Sequence, residues 1–302
     1  MKAGFHPDID AATYHGDPCP TPSLSSSLAK TIIHATPRHA WTKHPRLNPD
    51  FEAKEDDKFS LGTVFHEFAL GKGGGYLVLG FDNWTTKAAK EAREAARESG
   101  KTPLLAKDFD RVALMHERAT ERLAEMGIDI AASFQRDRDR RNEAVLTWQE
   151  KGGIWCRSML DSYDAKNVTI DDLKTTGAGL DDNAITRTIL NLDYDLSAAF
   201  YLRGLAKVDP STAGKAKFRW IFVEIDPPHE VRVIEPSATH LAIGARKAAL
   251  AIEKWARCSS TDQWPGYPAR VDRLEPQGYF ETGWLAQEQI DPDAANCDFG
   301  SL

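Results

Sequence analysis

The sequence predicts an α/β protein, a compact α/β core preceded by a helical lobe. Three observations carry this. Residues 86–99 and 107–126, rich in Ala, Glu, Lys and Arg, each end at a glycine (Gly100, Gly127), as helices do. From Glu143 the hydrophobic period shortens, and EAVLTWQE, IWCRSMLD and VTIDDLK read as short strands. Helix returns at 195–207 and 237–257, with two more strand-like runs between them.

The elements follow in order. Residues 1–22, rich in Pro, Asp and His, read as an extended arm. Ser23–Ser27 offers N-caps for a short amphipathic helix, LAKTIIHA, which Pro37 stops. Residues 45–57 are polar and read as loop. GTVFHEFAL (62–70) reads as a helix ended by Gly71 and the flexible Gly73–Gly75. Gly152-Gly153 separates the first two strands, and SYDAKN is a turn between the second and third. KFRWIFVEID and EVRVIE read as a hairpin around Pro227-Pro228. The last long helix is capped by Ser237 and turns Leu241, Ala245, Ala248 and Ile252 to one side. WPGYP (264–268) is a rigid loop. The chain thus divides into the arm, one domain over 23–280 and a tail over 281–302. Within the domain, the helical lobe runs to about 141 and the core starts at about 142. No internal repeat is present.

The 302 residues carry 38 Lys and Arg against 45 Asp and Glu, a formal charge of −7. Hydrophobic residues make up 41%, enough for a sizeable core, which argues against wholesale disorder. No apolar run nears the roughly 20 residues that span a bilayer. MKAGFHPDID lacks the apolar centre of a signal peptide, so a soluble, cytoplasmic protein with no membrane partner is expected. Taken whole, −7 discourages a nucleic-acid partner. Taken by position it does not. The tail holds Glu281, Glu288, Asp291, Asp293 and Asp298 with no Lys or Arg, which leaves −2 for the rest. Basic residues cluster at 38–46, at Arg136, Arg138, Arg140 and Arg141, and at Lys215, Lys217 and Arg219. Cys19, Cys156, Cys258 and Cys297 form no C-x-x-C pair, zinc spacing or iron–sulfur triplet, so free thiols are expected.

Residues 154–176 carry the chemistry. In VTIDDLK, strand alternation puts Asp172 and Lys174 on one face and Asp171 on the other. A turn centred on Lys166–Asn167 sets Asp161 opposite Asp172, with Cβ atoms about 4.5–5.5 Å apart. Two facing carboxylates repel, and one is pushed toward protonation unless a cation intervenes. Oxygen donors suit Mg²⁺ or Mn²⁺. Lys174 can then hold a neighbouring water or neutralise a phosphate. A surface hairpin with a Lys–Asp pair is the plain alternative. Glu143, opening the preceding strand, is a candidate supporting acid. Trp41, Trp84 and Trp148 could stack on bases, but core packing is the expected role of each. His66-Glu67 opens like H-E-x-x-H, but Leu70 stands at the second histidine position, so that zinc-protease reading fails.

Asp161 followed by Asp172-Leu173-Lys174 resembles the PD-(D/E)XK nuclease motif. GTVFHEFAL resembles the histidine-bearing helix of the RecB-like branch of that superfamily. LSSSLAKTIIHATPRHAW (24–41), LSAAFYLRGL (196–205), FVEIDPPHEVRVIE and WPGYP resemble, in order, segments of the RecE-type (exonuclease VIII-like) nucleases of phages and prophages. The likeness covers about 22–280. Ser197 departs from it, because a glutamine usually stands four residues before the tyrosine and serine is too short for the same reach. The resemblance implies a restriction-endonuclease-like core, a central mixed sheet flanked by helices with a helical N-terminal insertion. It implies that His66, Asp161, Asp172 and the Leu173 carbonyl hold Mg²⁺, with Mn²⁺ able to substitute. Lys174 would orient the attacking water. Tyr201, Ser197, Arg136, Arg138, Arg140, Arg141, Thr175 and Thr176 would contact DNA. The implied activity is 5′–3′ exonuclease action on double-stranded DNA ends, in recombination and repair. A single-strand annealing recombinase as partner, a ring-shaped homo-oligomer and a bacterial or phage-infected cytoplasm belong to the same implication. Single-strand, flap or endonuclease activity on the same fold, a silent DNA-end-binding protein and a metal-independent interaction module are the alternatives.

Overall fold

The computed structural model describes residues 1–52, 61–71, 75–128 and 140–294. Residues 1–266 form one compact unit and 267–302 a second. The first is built on a seven-stranded mixed sheet. Six strands lie in the order β1 (Gly4–His6), β5 (Arg140–Gln149), β6 (Trp155–Asp164), β7 (Thr169–Thr176), β8 (Lys217–Glu224) and β9 (Val231–Ile234). The seventh, β2 (Leu24–Ser25), lies parallel to β6 at Cys156 and Arg157. β5, β6 and β7 form an antiparallel meander joined by short turns. The pairs Ser162–Asp171, Tyr163–Ile170 and Asp164–Thr169 have the register expected from the turn, which Asp164 closes by accepting from the Asn167 N–H (3.0 Å). β7 and β8 are parallel, so a crossover must join them. It is formed by α7 (Asp182–Asn191) and α8 (Tyr194–Val208). β8 and β9 form the expected hairpin.

Alternation along β7 and β8 sorts side chains into two cores. Ile170, Phe218, Trp220 and Phe222 pack with α2 (Ser26–His34), α8 and α9 (Ala238–Thr261). Leu173, Ile221 and Val223 pack on the other side, with α4 (Leu61–Leu70) and α6 (Ala106–Glu125). Ahead of α6, β3 (Tyr76–Leu79) and β4 (Thr102–Leu105) form a small parallel sheet around α5 (Lys87–Glu98). Two four-residue strands are too short to show a period, so only the flanking helices were legible. No described helix is long and apolar enough to cross a membrane. Cys19, Cys156 and Cys258 are buried free thiols.

Several expectations need correction. Residues 1–22 are not an extended arm. β1 adds to β5, α1 (Ala11–His15) is capped by Asp10, and Tyr14, Asp17 and Cys19 are buried. Pro37 does not merely stop α2. It opens α3 (Pro37–Thr42) behind the Thr36 cap, where its missing N–H has no cost. The buried face of α9 carries Gly244 rather than Ala245, beside Ala248 and Ile252. The first unit ends at Gly266 rather than 280, because the Arg38 N–H and guanidinium hold the Pro265 and Trp264 carbonyls. In the second unit, part of the expected tail is helical, as α10 (Gly278–Ile290).

Two of these features carry predictions. A Cβ at Gly244 would lie 2.0 Å from the Asp195 carbonyl oxygen, a backbone atom that cannot rotate away. Gly244→Ala must therefore separate α8 from α9, at about 1–3 kcal/mol, measurable as a lower urea midpoint with unchanged slope. Asp17 accepts from the Ser23 N–H (2.9 Å) and hydroxyl (2.6 Å), and its carboxylate faces His44 (3.2 Å) and Arg157 (3.4 Å). Burial alone would raise its pKa, but His44, Arg157 and Ser23 outweigh it and hold the carboxyl down at about 2. A depressed acid stabilises the fold above its unfolded value, and that contribution disappears as pH falls from about 4 through about 2. Asp17→Asn is expected to destabilise by on the order of 2 kcal/mol at pH 7. The gap from wild type should close in melts taken toward pH 2.

Candidate active site

The fork in the sheet places the site. One edge of β6 pairs with β2 at Cys156–Arg157 and with β7 from Ser162 onward. Between these partners, at Asp161, the ladder to β7 ends. The Leu173 N–H that faces this gap donates instead to Asp161 Oδ2 (2.8 Å). On the other edge, the β5–β6 ladder pairs Asn142 with Ser162 and Ala144 with Leu160, skipping Glu143, which stands across from Asp161. Glu143 has φ +47°, a left-handed conformation that costs a non-glycine residue about 1–3 kcal/mol and is tolerated where neighbours enforce it.

α4 supplies the histidine. Val64, Phe65, Ala69 and Leu70 are buried, and the Asn142 side chain caps the helix by donating to the Leu70 carbonyl (2.9 Å). His66, on the flank, points its Nε2 at Asp161 Oδ2 (3.2 Å) and its Nδ1 at Glu143 Oε1 (3.8 Å). Burial disfavours the imidazolium, but Asp161, helped by Glu143, outweighs burial and raises the His66 pKa. Lys174 Nζ lies 2.7 Å from Asp172 Oδ2 and 3.7 Å from Asp161 Oδ2, and donates to the Leu173 carbonyl (3.1 Å). Burial works against the Lys174 charge, yet the two aspartates raise its pKa.

The two carboxyls are driven apart. Burial would raise both. For Asp161, Lys174 and His66 win, and its pKa is held well below the usual carboxylate range. For Asp172, burial and the Asp161 charge win over Lys174 and push it up to about 6. Such a pair is where a cation relieves the most repulsion. Among the described residues no three His, Cys, Asp or Glu side chains converge tightly enough to enclose an ion as they stand. The donor chemistry nevertheless fits a hard divalent ion. Asp161, Asp172 and the Leu173 carbonyl are oxygen donors, His66 adds a nitrogen, and the charge of buried Asp172 is met, among the described residues, only by Lys174, at 2.7 Å from Oδ2. Those residues would hold it.

The expected DNA-contact residues fare differently. Tyr201 is half-buried on α8, beside Ser26, with its pKa raised well above normal by burial and then by the charge of Asp172. Ser197 is buried and bonded to the Ser26 hydroxyl (3.0 Å), so it joins α8 to α2 rather than facing a substrate. Arg140 is corrected too. Its guanidinium donates to Asp171 (2.9 Å), Ser162 (2.9 Å) and Asp164 (3.3 Å), and Arg219 holds the other side of Asp171 (2.7 and 3.0 Å). Both arginines are therefore engaged within the sheet. Arg141 donates to the Arg140 carbonyl (2.9 Å) and lines a cavity of about 570 Å³ with Phe5, Tyr163 and Lys215. Thr176 accepts from the Ala178 N–H (3.0 Å), closing the turn after β7, and Thr175 is half-buried. Arg136 and Arg138 lie outside the described residues. Trp148 is core and donates to Glu150 (3.0 Å); Trp84 lies under the Arg93 guanidinium (5.8 Å).

Two residues at the site were missed. Tyr194 opens α8, with Lys174 Nζ 5.3 Å from its ring centroid and Lys30 Nζ of α2 at 5.1 Å. The signal for Lys30 was a lone cation among Leu28, Ala29 and Ile32, on a helix read only as amphipathic.

A family model described as a PDDEXK-like domain of unknown function (DUF3799) matches residues 25–275. No curated protein matches the chain. Among solved structures, a protein of Eubacterium rectale assigned as an exonuclease aligns with a TM-score of 0.55. The two are 15% identical, and the alignment covers 91% of this chain and 98% of that one. A phage-related exonuclease from Haemophilus somnus is 13% identical over 59% of this chain and 90% of its own, with a TM-score of 0.27, too low to bear on the fold.

Proposed function

The chain belongs to the PDDEXK-like domain family (DUF3799), and on that premise we propose that it is a metal-dependent deoxyribonuclease acting on double-stranded DNA ends. One observation carries the reading. Where the β6–β7 ladder opens, Lys174 lies within ion-pairing distance of both Asp161 and Asp172, and His66 reaches Asp161 from α4. Two carboxylates with separated pKa values beside a fixed cation suit hydrolysis of a phosphodiester.

A bound Mg²⁺ or Mn²⁺ would lower the pKa of a water and polarise the phosphate. The chain's own groups supply the rest. Asp161 stays ionised because Lys174, His66 and the Leu173 N–H hold its charge. His66 lies between two carboxylates, Asp161 at 3.2 Å and Glu143 at 3.8 Å, which orient its ring. Lys174 Nζ, held by Asp172 and the Leu173 carbonyl, can orient the attacking water and offset negative charge growing on the phosphate oxygens. Tyr201 stands beside this group as a candidate contact to the scissile end.

The shared fold of the Eubacterium rectale protein makes exonuclease action the form to test first. Linear, nicked and circular duplexes are incubated with Mg²⁺ and with EDTA. Metal-dependent loss of linear DNA alone supports the reading, and equal loss of circles removes the requirement for ends. Release of a 5′ rather than a 3′ label at the earliest times supports 5′–3′ polarity. The proposal extends to recombination, with a single-strand annealing protein as partner and a ring-shaped homo-oligomer; sedimentation of the purified chain tests the oligomer.

A further inference from the structure

Lys30 is a surplus positive charge at this site. It is half-buried on α2, and its ammonium group lies over the Tyr194 ring, which it shares with Lys174. Among the described residues no carboxylate lies within 4 Å of its Nζ. The acids around it are taken. Asp172 is paired with Lys174 (2.7 Å), Asp193 with His34 and Lys247 (2.7 Å to the latter), and Asp195 with Lys247 (2.9 Å). Burial, then the charge of Lys174, pulls the Lys30 pKa down to about 8. A partly desolvated cation beside a second cation is costly unless an anion joins it. An aromatic face offsets only part of that.

We propose that Lys30 binds a backbone phosphate of the DNA strand adjacent to the phosphate held at Lys174, and is a positioning residue for cleavage. This rests on the nuclease reading. Both ammonium groups lie close to one ring, 5.1 and 5.3 Å from the Tyr194 centroid, so one strand passing Lys174 can present a neighbouring phosphate to Lys30. The ordering of α2 against α8, through Ser26 and Ser197, keeps that spacing fixed.

The test is binding of a linear duplex oligonucleotide in Ca²⁺, followed by fluorescence anisotropy across a salt series, and steady-state cleavage in Mg²⁺. It uses wild type, Lys30→Gln and Lys30→Arg. Lys30→Gln should weaken binding about tenfold and reduce the slope of log K against log salt by about 0.9, the signature of one lost phosphate contact. KM should rise with a smaller change in kcat. Lys30→Arg, which keeps the charge, should retain the wild-type slope, and should Lys30→Gln unfold, Lys30→Met, which keeps the aliphatic length without the charge, is read in its place against the same expected loss of slope. An unchanged slope and KM in a folded Lys30→Gln overturns the proposal while leaving a working nuclease. Wild-type protein that neither binds nor cuts DNA overturns both readings together.

Discussion

Lys174→Ala is expected to lower the proposed rate of DNA hydrolysis by about 10³-fold, and Asp172→Asn by a similar factor, in protein that still melts cooperatively. Lys174 is the one cation within ion-pairing distance of both aspartates among the described residues. Its removal leaves the buried Asp172 and the half-buried Asp161 without the cation they share. Asp172, already pushed up to about 6 by burial and by Asp161, then gains a proton more readily still. The variant thus loses both the group that offsets charge on the phosphate and the ionised form of a candidate metal donor. Asp172→Asn keeps the shape of the side chain but removes its charge, so it separates donor chemistry from packing. Activity is measured as acid-soluble nucleotide from linear duplex at saturating Mg²⁺. Retention of activity within tenfold of wild type in either variant would falsify the assignment of the site.

Asp171→Ala is expected to be the most destabilising change in the sheet, at about 3–5 kcal/mol. Asp171 is 1% exposed and lies between Arg140 and Arg219, whose side chains are 8% and 19% exposed. Taking away the shared anion leaves two guanidinium groups facing each other with little access to water. Asp164 and Ser162 reach only Arg140, so they cannot satisfy both. For a unit of this size the loss amounts to roughly 10 °C in Tm. Asp171→Asn should lie between, because an amide oxygen still accepts one donor but carries no charge. Calorimetry of the three proteins checks the order. Asp171 points away from the catalytic face, so the rate per folded molecule should not change.

The pair Asp171 and Asp172 shows what the sequence could and could not reveal. Strand alternation and a local turn were enough to fix the register that ends at Ser162–Asp171, next to Asp161 and Asp172, and to turn Asp171 to the other face, because hairpin register is set within a dozen residues. The same local rules say nothing about what Asp171 meets there. Arg140 was read with its acidic and basic neighbours as a DNA-contact run, whereas the fold gives it three internal acceptors. Residues 1–22 failed for a related reason. Pro, Asp and His mark irregular backbone, but Asp10 is a helix cap and Asp17 is the centre of a buried network assembled from residues up to Arg157. Lys30 and Tyr194 belong together only because α2 and α8 pack on one face of the sheet. His66 is singled out only by the resemblance of GTVFHEFAL to the histidine-bearing helix of RecB-like nucleases, because periodicity alone leaves it among core residues. What stayed unreadable in each case was contact between distant segments.

The fork at β6 ties chemistry to folding. The meander Arg140–Thr176 can bring Asp161, Asp172 and Lys174 together by local closure alone. His66 and Lys30 come from segments more than 70 residues earlier, and Tyr194 from beyond the meander. β2 reaches β6 across a separation of 132 residues, and such closures form late because they order a long loop for few contacts. A chain folded over the meander alone would therefore hold the acidic pair without the groups that give it an orientation. The proposed site is complete only when the whole unit is, so any activity it supports should track the fraction of globally folded protein in a preparation.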